Sequence, residues 1–472
     1  YIVYPLMVIF GLSETEWLQT TTMHVMETTG KNYAKLMQIF SLIPNSMQYE
    51  PNDQIGIPWD LNKIAQLLFF ISLSATVVCL ICARTKAKRW WIGGLGLLLS
   101  AVLLTGYFIP VSVPVMDLSA ASETADTTYY DMIHKDCQKD EAADFRVKKY
   151  QLDFSVGLNL TGSAKVYVDR SELKSYRFTL YHGYKVKQVT DQTGAALDFR
   201  REYDYVTVTR GGADVEYLCL EYTGKSPKYY SSYAGVCLPA NFAYYPIPGY
   251  RELFKDSFYG FIDCSLPYDT AFDVRCSGRK QMYCNLAARG NNHFAGNARS
   301  ITLLSGYYDT LKLNDTLVVY PKYADGEIRA RIKKNMGTFT KEHRDIHTIF
   351  IMDADNLTPY EHLRSYDGYV VTNSMIDMEQ SYFESQIDIS KLHFYKMFVY
   401  YYNEKVDREE LEQLKQSEDP EEYPMVQIIL KLSASKNREA AAAETEQYLT
   451  NSKDTRAPMT FLQELGEKYA KA

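Results

Sequence analysis

Two uninterrupted apolar stretches, separated by a few cationic residues, restrict this chain more than anything else in it. Residues 64–83 (IAQLLFFISLSATVVCLICA) and 91–111 (WIGGLGLLLSAVLLTGYFIPV) contain no charged side chain. At about 1.5 Å of rise per helical residue, each run matches a hydrocarbon core about 30 Å thick. Between them, Arg84, Lys86, Lys88 and Arg89 leave room only for a hairpin turn, and the positive-inside rule places such a turn in the cytoplasm. Both flanks of the hairpin, including everything after Pro114, are then expected outside the membrane. Two buried core helices of a soluble protein fit the length and the flanks less well.

The chain opens Tyr1-Ile-Val-Tyr-Pro-Leu-Met-Val-Ile-Phe-Gly-Leu, apolar but too short to span. Residues 1–12 read as the tail of a further span, 13–62 as an extracytoplasmic loop and 63–114 as the two spans with their short cytoplasmic loop. The expectation is a multi-pass protein of the cell membrane, bacterial in type, with the bilayer as its first partner. A net charge of -7 over 472 residues argues against a general nucleic-acid binder, which needs a basic surplus to neutralise phosphates. Forty tyrosines suit half-buried sheets, where an amphipathic ring with high β-propensity is at home. Cys79 and Cys82 lie within a span. Cys137, Cys219, Cys237, Cys264, Cys276 and Cys284 fall in the portion expected outside, where disulfides are permitted. Cys276 with Cys284 would close a hairpin, whereas Cys219 in an alternating strand is equally well a buried free thiol.

Residues 115–145 read as a juxtamembrane linker containing one short helix. From Val147 the apolar period becomes two: Leu152, Phe154, Val156, Leu158 and Leu160 alternate with polar neighbours, as do Val206 with Val208 and Leu218 with Leu220. Gly162, Gly183, Gly194, Gly211, Gly212 and Gly224 punctuate these runs. Residues 146–323 are therefore expected to form an antiparallel β domain, and 324–472 an α-rich domain with a few strands. Ile328, Ile332 and Met336 mark its first helix; strands are expected at 348–352 and 369–372. Further helices are expected at 376–386, 389–403, 407–416, 437–450 and 458–470, with Pro458 in the first turn of the last.

In this order the residues resemble the aminopeptidase N type of gluzincin metallopeptidases. Tyr150-Gln-Leu-Asp-Phe-Ser-Val, Val186-Lys-Gln-Val-Thr-Asp-Gln-Thr-Gly, Leu220-Glu-Tyr-Thr-Gly, Ala243-Tyr-Tyr-Pro-Ile-Pro-Gly, Ser300-Ile-Thr-Leu-Leu-Ser-Gly-Tyr-Tyr and Val319-Tyr-Pro follow the family's N-terminal saddle domain over 150–321. Gly326 to Asp345, His347 to Asp353 and Asp367-Gly-Tyr-Val-Val-Thr resemble the helix, strand and edge strand that lead to the zinc helix. The resemblance implies a membrane α-helical hairpin followed by an α+β ectodomain, a saddle-like β domain and then a reduced, mostly helical thermolysin-like domain. It places a peptide groove beside Asp367, Gly368 and Tyr369, although the family's Gly-x-Met-Glu-Asn has no counterpart here.

The zinc motif itself is missing. Where H-E-x-x-H belongs stand Ile389-Ser-Lys-Leu-His-Phe-Tyr-Lys-Met-Phe and Tyr400-Tyr-Tyr-Asn-Glu-Lys, with His393 alone. His343 and His347 are spaced i and i+4, the separation of two zinc ligands on one helical face. They straddle a predicted helix end, precede the edge strand, and have Arg344 where a water-activating glutamate would stand; solvated histidines are the simpler reading. No G-x-S-x-G and no phosphate-binding glycine loop occurs. No catalytic residue, metal or other cofactor is therefore assigned.

A gluzincin-like domain behind the last spans of a polytopic protein also resembles bacterial ABC-exporter permeases that carry a C-terminal aminopeptidase-like domain. That resemblance implies a cytosolic ABC ATPase as partner and a catalytically inactive extracytoplasmic domain that binds peptide. The competing expectations are a membrane-anchored zinc aminopeptidase with an atypical site at His343 and His347, and an anchored receptor domain without transport.

Overall fold

The computed structural model describes residues 61–108, 126–212, 214–256, 260–322, 327–352, 362–373, 378–403, 414–415, 422–451 and 453–470. The expected span at 1–12, most of the loop at 13–62, the boundary at 323–324 and nearly all of the helix at 407–416 lie outside these residues. Two compact units divide the chain: Tyr1–His362 with Tyr366–Met375, and Leu363–Ser365 with Ile376–Ala472.

In the first unit, helices α1 (Leu61–Cys82) and α2 (Lys86–Tyr107) pack as an antiparallel pair, and both are long and apolar enough to cross a membrane. The turn is shorter than expected. Thr85 caps α2 by accepting the Lys88 N–H at 3.3 Å, so Lys86, Lys88 and Arg89 belong to its first turn. Arg89 Nε donates to the carbonyl of Ala83 at 3.0 Å, satisfying an orphan group at the end of α1. Small and hydroxylated residues form the seam: Ser100 Oγ donates to Ser72 Oγ at 3.1 Å, a Cβ on Gly96 would collide with Thr76, and one on Gly106 would sit 2.7 Å from the Ala65 methyl. Without a hydrophobic driving force between helices in lipid, such close backbone approach is what holds a pair together. Leu67, Ile71, Val78, Leu95, Leu98 and Val102 are exposed on the outside of the pair.

The β portion is built on a seven-stranded sheet. In spatial order its strands are β12 (Ala287–Gly290), β13 (His293–Ala298), β10 (Thr270–Ser277), β1 (Val147–Val156), β2 (Leu160–Val168), β7 (Tyr217–Gly224) and β4 (Tyr184–Thr190). The purely antiparallel expectation is corrected at its centre: β1 pairs with β10 in parallel, Tyr150 opposite Phe272 and Leu152 opposite Val274. The 113 residues between those two strands supply the long crossover a parallel pair requires. A second sheet has the order β5 (Phe199–Glu202), β6 (Tyr205–Thr209), β3 (Ser175–Thr179) and β9 (Ile247–Pro248), and a third the order β11 (Tyr283–Cys284), β14 (Leu303–Ser305) and β8 (Val236–Leu238).

Tyrosine fills much of this core. Ten of the twelve largest fully buried side chains are tyrosines, among them Tyr150, Tyr222, Tyr244 and Tyr245. Their rings supply apolar area while their hydroxyls tie strands to the buried 243–249 loop: Tyr150 donates to the carbonyl of Pro246 at 2.8 Å, Tyr222 to Tyr244 at 2.9 Å, and Tyr244 to Ile301 at 2.8 Å. These three phenols are satisfied, as burial demands. Gly162 on β2 makes room for the Tyr222 ring, into which a Cβ would be driven.

The same unit continues through β15 (Tyr308–Leu313) and β16 (Thr316–Pro321), helices α3 (Ile328–Met336) and α4 (Phe339–Glu342), and strands β17 (Thr348–Ile351) and β19 (Tyr369–Thr372), whereas most of β18 (Leu363–Tyr366) belongs with the second unit. The strands β15, β16, β17 and β19 lie side by side; β16 with β17 and β17 with β19 run parallel. In the second unit α5 (Met378–Ser385), α6 (Ile389–Asn403), α7 (Glu422–Ser433), α8 (Arg438–Thr450) and α9 (Pro458–Tyr469) form a helical domain around Phe394, Val426, Ile429, Leu432, Tyr448 and Phe461, with Pro458 at the first helical position as expected.

Candidate functional site

Tyr369 opens β19, and its side chain is only 2% exposed. Its hydroxyl lies 3.2 Å from Ser300 Oγ and 3.4 Å from Thr302 Oγ1, and its ring stacks on Tyr366 at 4.8 Å. Burial pushes the phenol far above its usual range. Asp367 is exposed at the β18–β19 turn, and Gly368 takes φ +77°, the left-handed conformation only glycine adopts freely. Within the triplet expected to border a peptide groove, Tyr369 is thus a core residue and Asp367 a turn residue.

The two histidines do not share a helix face. Helix α4 stops at Glu342, and His343 is its C-cap with φ -101° and ψ 70°. The chain turns through Ile346, which is 1% exposed and draws the backbone inward, so His347 enters the sheet: its N–H donates to the carbonyl of Gly368 at 2.7 Å and its own carbonyl accepts from Leu317 at 2.9 Å. His343 packs against Phe339 with ring centroids 4.5 Å apart. Among the described residues no group of three or more His, Cys, Asp or Glu comes close enough to hold a metal ion. The pair does not fit a zinc site, and no chemistry is routed through one. Asp353, Asp355 and Glu361 lie outside the described residues.

Helix α6 follows β19 and α5 along the chain, and its single histidine, His393, is exposed. Its buried residues Leu392, Phe394, Phe398, Tyr401 and Tyr402 serve the core, with Phe398 and Tyr402 stacked at 4.6 Å. Lys391, 5% exposed, donates to the carbonyls of Tyr448 at 2.8 Å and Asn451 at 3.1 Å, closing the C-terminal end of α8.

The second unit holds a cleft of about 580 Å³ whose lining includes Glu444, Gln447, Asn451, Arg456, Lys468 and Tyr469. Tyr448 and Phe461 also line it, their rings parallel and 4.0 Å apart. Its charges are matched: Lys468 pairs with Glu444 at 2.6 Å, and Arg456 pairs with both Asp454 and Glu464.

The cysteine alternatives resolve as thiols. All eight are free, with Cys237, Cys264, Cys276 and Cys284 buried. Burial drives the Cys276 and Cys284 thiols upward, Cys284 to about 12.

One cluster was not singled out from sequence because its members lie far apart along the chain. Asp126, Tyr129 and Tyr130 meet Tyr181, His182 and Asp204 on the β unit. An acid in a polar linker and a histidine in a turn carry no local signal of such a meeting.

No family model and no curated protein matches the chain. Among solved structures it is similar to an M1 zinc metallopeptidase from Deinococcus radiodurans, 11% identical over 65% of this chain and 75% of that one, with a TM-score of 0.33. It is also similar to leukotriene A4 hydrolase from Saccharomyces cerevisiae, 12% identical over 73% and 69% of the two chains, with a TM-score of 0.38.

Proposed function

We propose that this chain is part of a membrane permease of the ABC-exporter type whose extracytoplasmic, aminopeptidase-like domain binds peptide without cleaving it. The observation that carries the reading is that helix α6, in the stretch where the resemblance expects the metal-binding helix, is built for packing. Across 472 residues there is no H-E-x-x-H, and α6 places its one histidine in solvent and Phe394, Tyr395, Phe398, Tyr401 and Tyr402 in the core. A tethered domain with no metal-binding group among its described residues and no phosphate loop in its sequence is suited to holding a ligand, and the paired apolar helices would supply the tether. The ATPase would be a cytosolic partner, as the resemblance to ABC-exporter permeases implies; residues 1–472 themselves contain no phosphate-binding loop.

The test is zinc content of the full chain in detergent, measured by elemental analysis after metal-free dialysis, with hydrolysis of aminoacyl fluorophores followed in parallel. The expected result is no stoichiometric zinc and no turnover. About one zinc per chain with turnover would replace this reading by that of a tethered zinc aminopeptidase. Purification from the native membrane without any ATPase would leave an anchored binding domain and remove the transport part.

A further inference from the structure

The segment that enters the β unit from the membrane side is fastened at both ends. At its far end Gln138 brackets one loop: its side-chain oxygen accepts the N–H groups of Leu253 and Phe254, both at 3.1 Å, and its amide donates to the carbonyl of Phe254 at 2.6 Å. In the middle Tyr130, 1% exposed, stacks on Phe254 with centroids 5.0 Å apart, and Tyr129 lies flat on the His182 imidazole at 3.5 Å. At the membrane-side end Asp126, 4% exposed, accepts the Tyr181 hydroxyl at 2.6 Å through Oδ1, while Oδ2 is buried without a hydrogen-bond partner.

The groups facing Asp126 come from several elements. Tyr181 and His182 stand in the β3–β4 turn, Asp204 in the β5–β6 turn, and Lys228 in the loop after β7. Tyr203, left-handed at φ +55°, shapes the turn that buries Asp204, whose Oδ1 accepts the His182 backbone N–H at 2.6 Å and lies 3.4 Å from its Nδ1. Tyr130 reaches the same imidazole nitrogen at 3.3 Å. Arg201, the remaining nearby cation, spends its guanidinium on the carbonyls of Leu180, Tyr181 and Tyr184. A carboxylate here has one hydrogen bond and an aromatic surround, and an ion so placed lacks the several donors that would offset its desolvation.

We propose that residues 126–138 form a proton-gated clasp, docked on the β unit when the Asp126 carboxyl is neutral and loosened from its membrane-side end when that carboxyl ionises. The polarity follows from the environment. Burial raises the Asp126 carboxyl from 3.8 to about 6, against the lowering effects of the Tyr181 hydrogen bond, His182 and Lys228. A carboxyl raised on docking favours the docked state fully below the undocked value and loses that advantage as pH climbs through about 6. Between pH 5 and pH 8 the docking equilibrium therefore weakens about tenfold. The clasp sits between the membrane hairpin and the β sheets along the chain, so its state governs how firmly the ectodomain is held to its tether. It depends on these residues alone and is independent of whether the ectodomain cleaves peptides.

The experiment is hydrogen exchange by mass spectrometry on the full chain in nanodiscs at pH 5 and pH 8, corrected for the intrinsic pH dependence of exchange. Wild-type amides of 130–137, including the His134 N–H that bonds to Tyr129, are expected to lose about tenfold protection between the two values. The isosteric Asp126→Asn keeps an acceptor for Tyr181 and is expected to hold the same protection at both. Asp140→Asn, at an exposed acid near the other end, serves as the control and is expected to keep the wild-type profile. Equal wild-type protection at both pH values would overturn the proposal. So would a tenfold loss that persists in Asp126→Asn, which would assign the titration to another group.

Discussion

Substitution at Tyr369 separates a groove residue from a core residue. Its ring is 2% exposed between Tyr366 and Phe350, and its hydroxyl meets Ser300 and Thr302. Tyr369→Ala removes a fully buried aromatic ring, and the transfer and cavity terms together cost about 3–5 kcal/mol. Tyr369→Phe keeps the ring and removes only the hydroxyl. Thr302 Oγ1 still accepts the Ala240 N–H at 3.1 Å, so the loss falls chiefly on Ser300 and is about 1 kcal/mol. The assay is urea denaturation of the full chain followed by near-ultraviolet circular dichroism, which reads the buried tyrosines. The four tryptophans at 17, 59, 90 and 91 all precede the β domain and are poor reporters of it. The expected order of midpoints is wild type, then Phe, then Ala, at unchanged m. A Tyr369→Ala chain as stable as wild type would refute the packing argument and return Tyr369 to a ligand-facing role.

Other substitutions probe the remaining parts. Gly96→Leu is expected to open the helix pair at a lower SDS fraction in an unfolding titration, because its side chain would enter Thr76; Gly94→Leu, with nothing within 4 Å of its Cβ, is expected to match wild type. Lys391→Met leaves the carbonyls of Tyr448 and Asn451 without their shared charged donor, and the helical unit is expected to lose about 1.5–3 kcal/mol in urea unfolding. Thiol titration of denatured, unreduced protein is expected to find all eight cysteines; under native conditions Cys276 and Cys284 are expected to resist alkylation while the partly exposed Cys137 reacts. A disulfide detected by mass would contradict the thiol assignment.

The parts of this fold legible in the sequence are those whose physics is local. An uncharged run of hydrocarbon length needs no partner to be recognised, and the hairpin misread was only its turn, since lysines and arginines sit comfortably in the first turn of α2. Helix α6 was read at its observed bounds, and α8 and α9 within a residue, from apolar spacing and from Pro458. Helix α7 is not among the helices expected from sequence; its Pro424 stands in the first helical turn, where its missing N–H costs nothing. The β1–β10 pairing was illegible because alternation sets the face of a strand and carries no information about which distant strand it joins. The site suffered most. Strand β19 is buried at all four positions, so no alternation marks Tyr369 as inward, and the Asp126 cluster joins residues more than fifty positions apart.

The packing around the candidate site residues is closed by apolar and aromatic side chains. Strands β17 and β19 are covered on both faces, and their cluster of Tyr230, Leu304, Val319, Phe350, Met352, Tyr369 and Val371 closes without any metal or charged centre. The helical unit likewise closes on the stacked Tyr448 and Phe461 and on the Lys391 bridge to α8. A metal site would have to be carried by polar side chains held short of their best packing, whereas His343 packs on Phe339, His347 joins the sheet through its backbone and His393 is exposed. Dispersion and apolar burial are non-directional and tolerate many sequences, while metal chemistry needs a few donors placed to within a fraction of an ångström. Both clusters therefore close on apolar and aromatic packing.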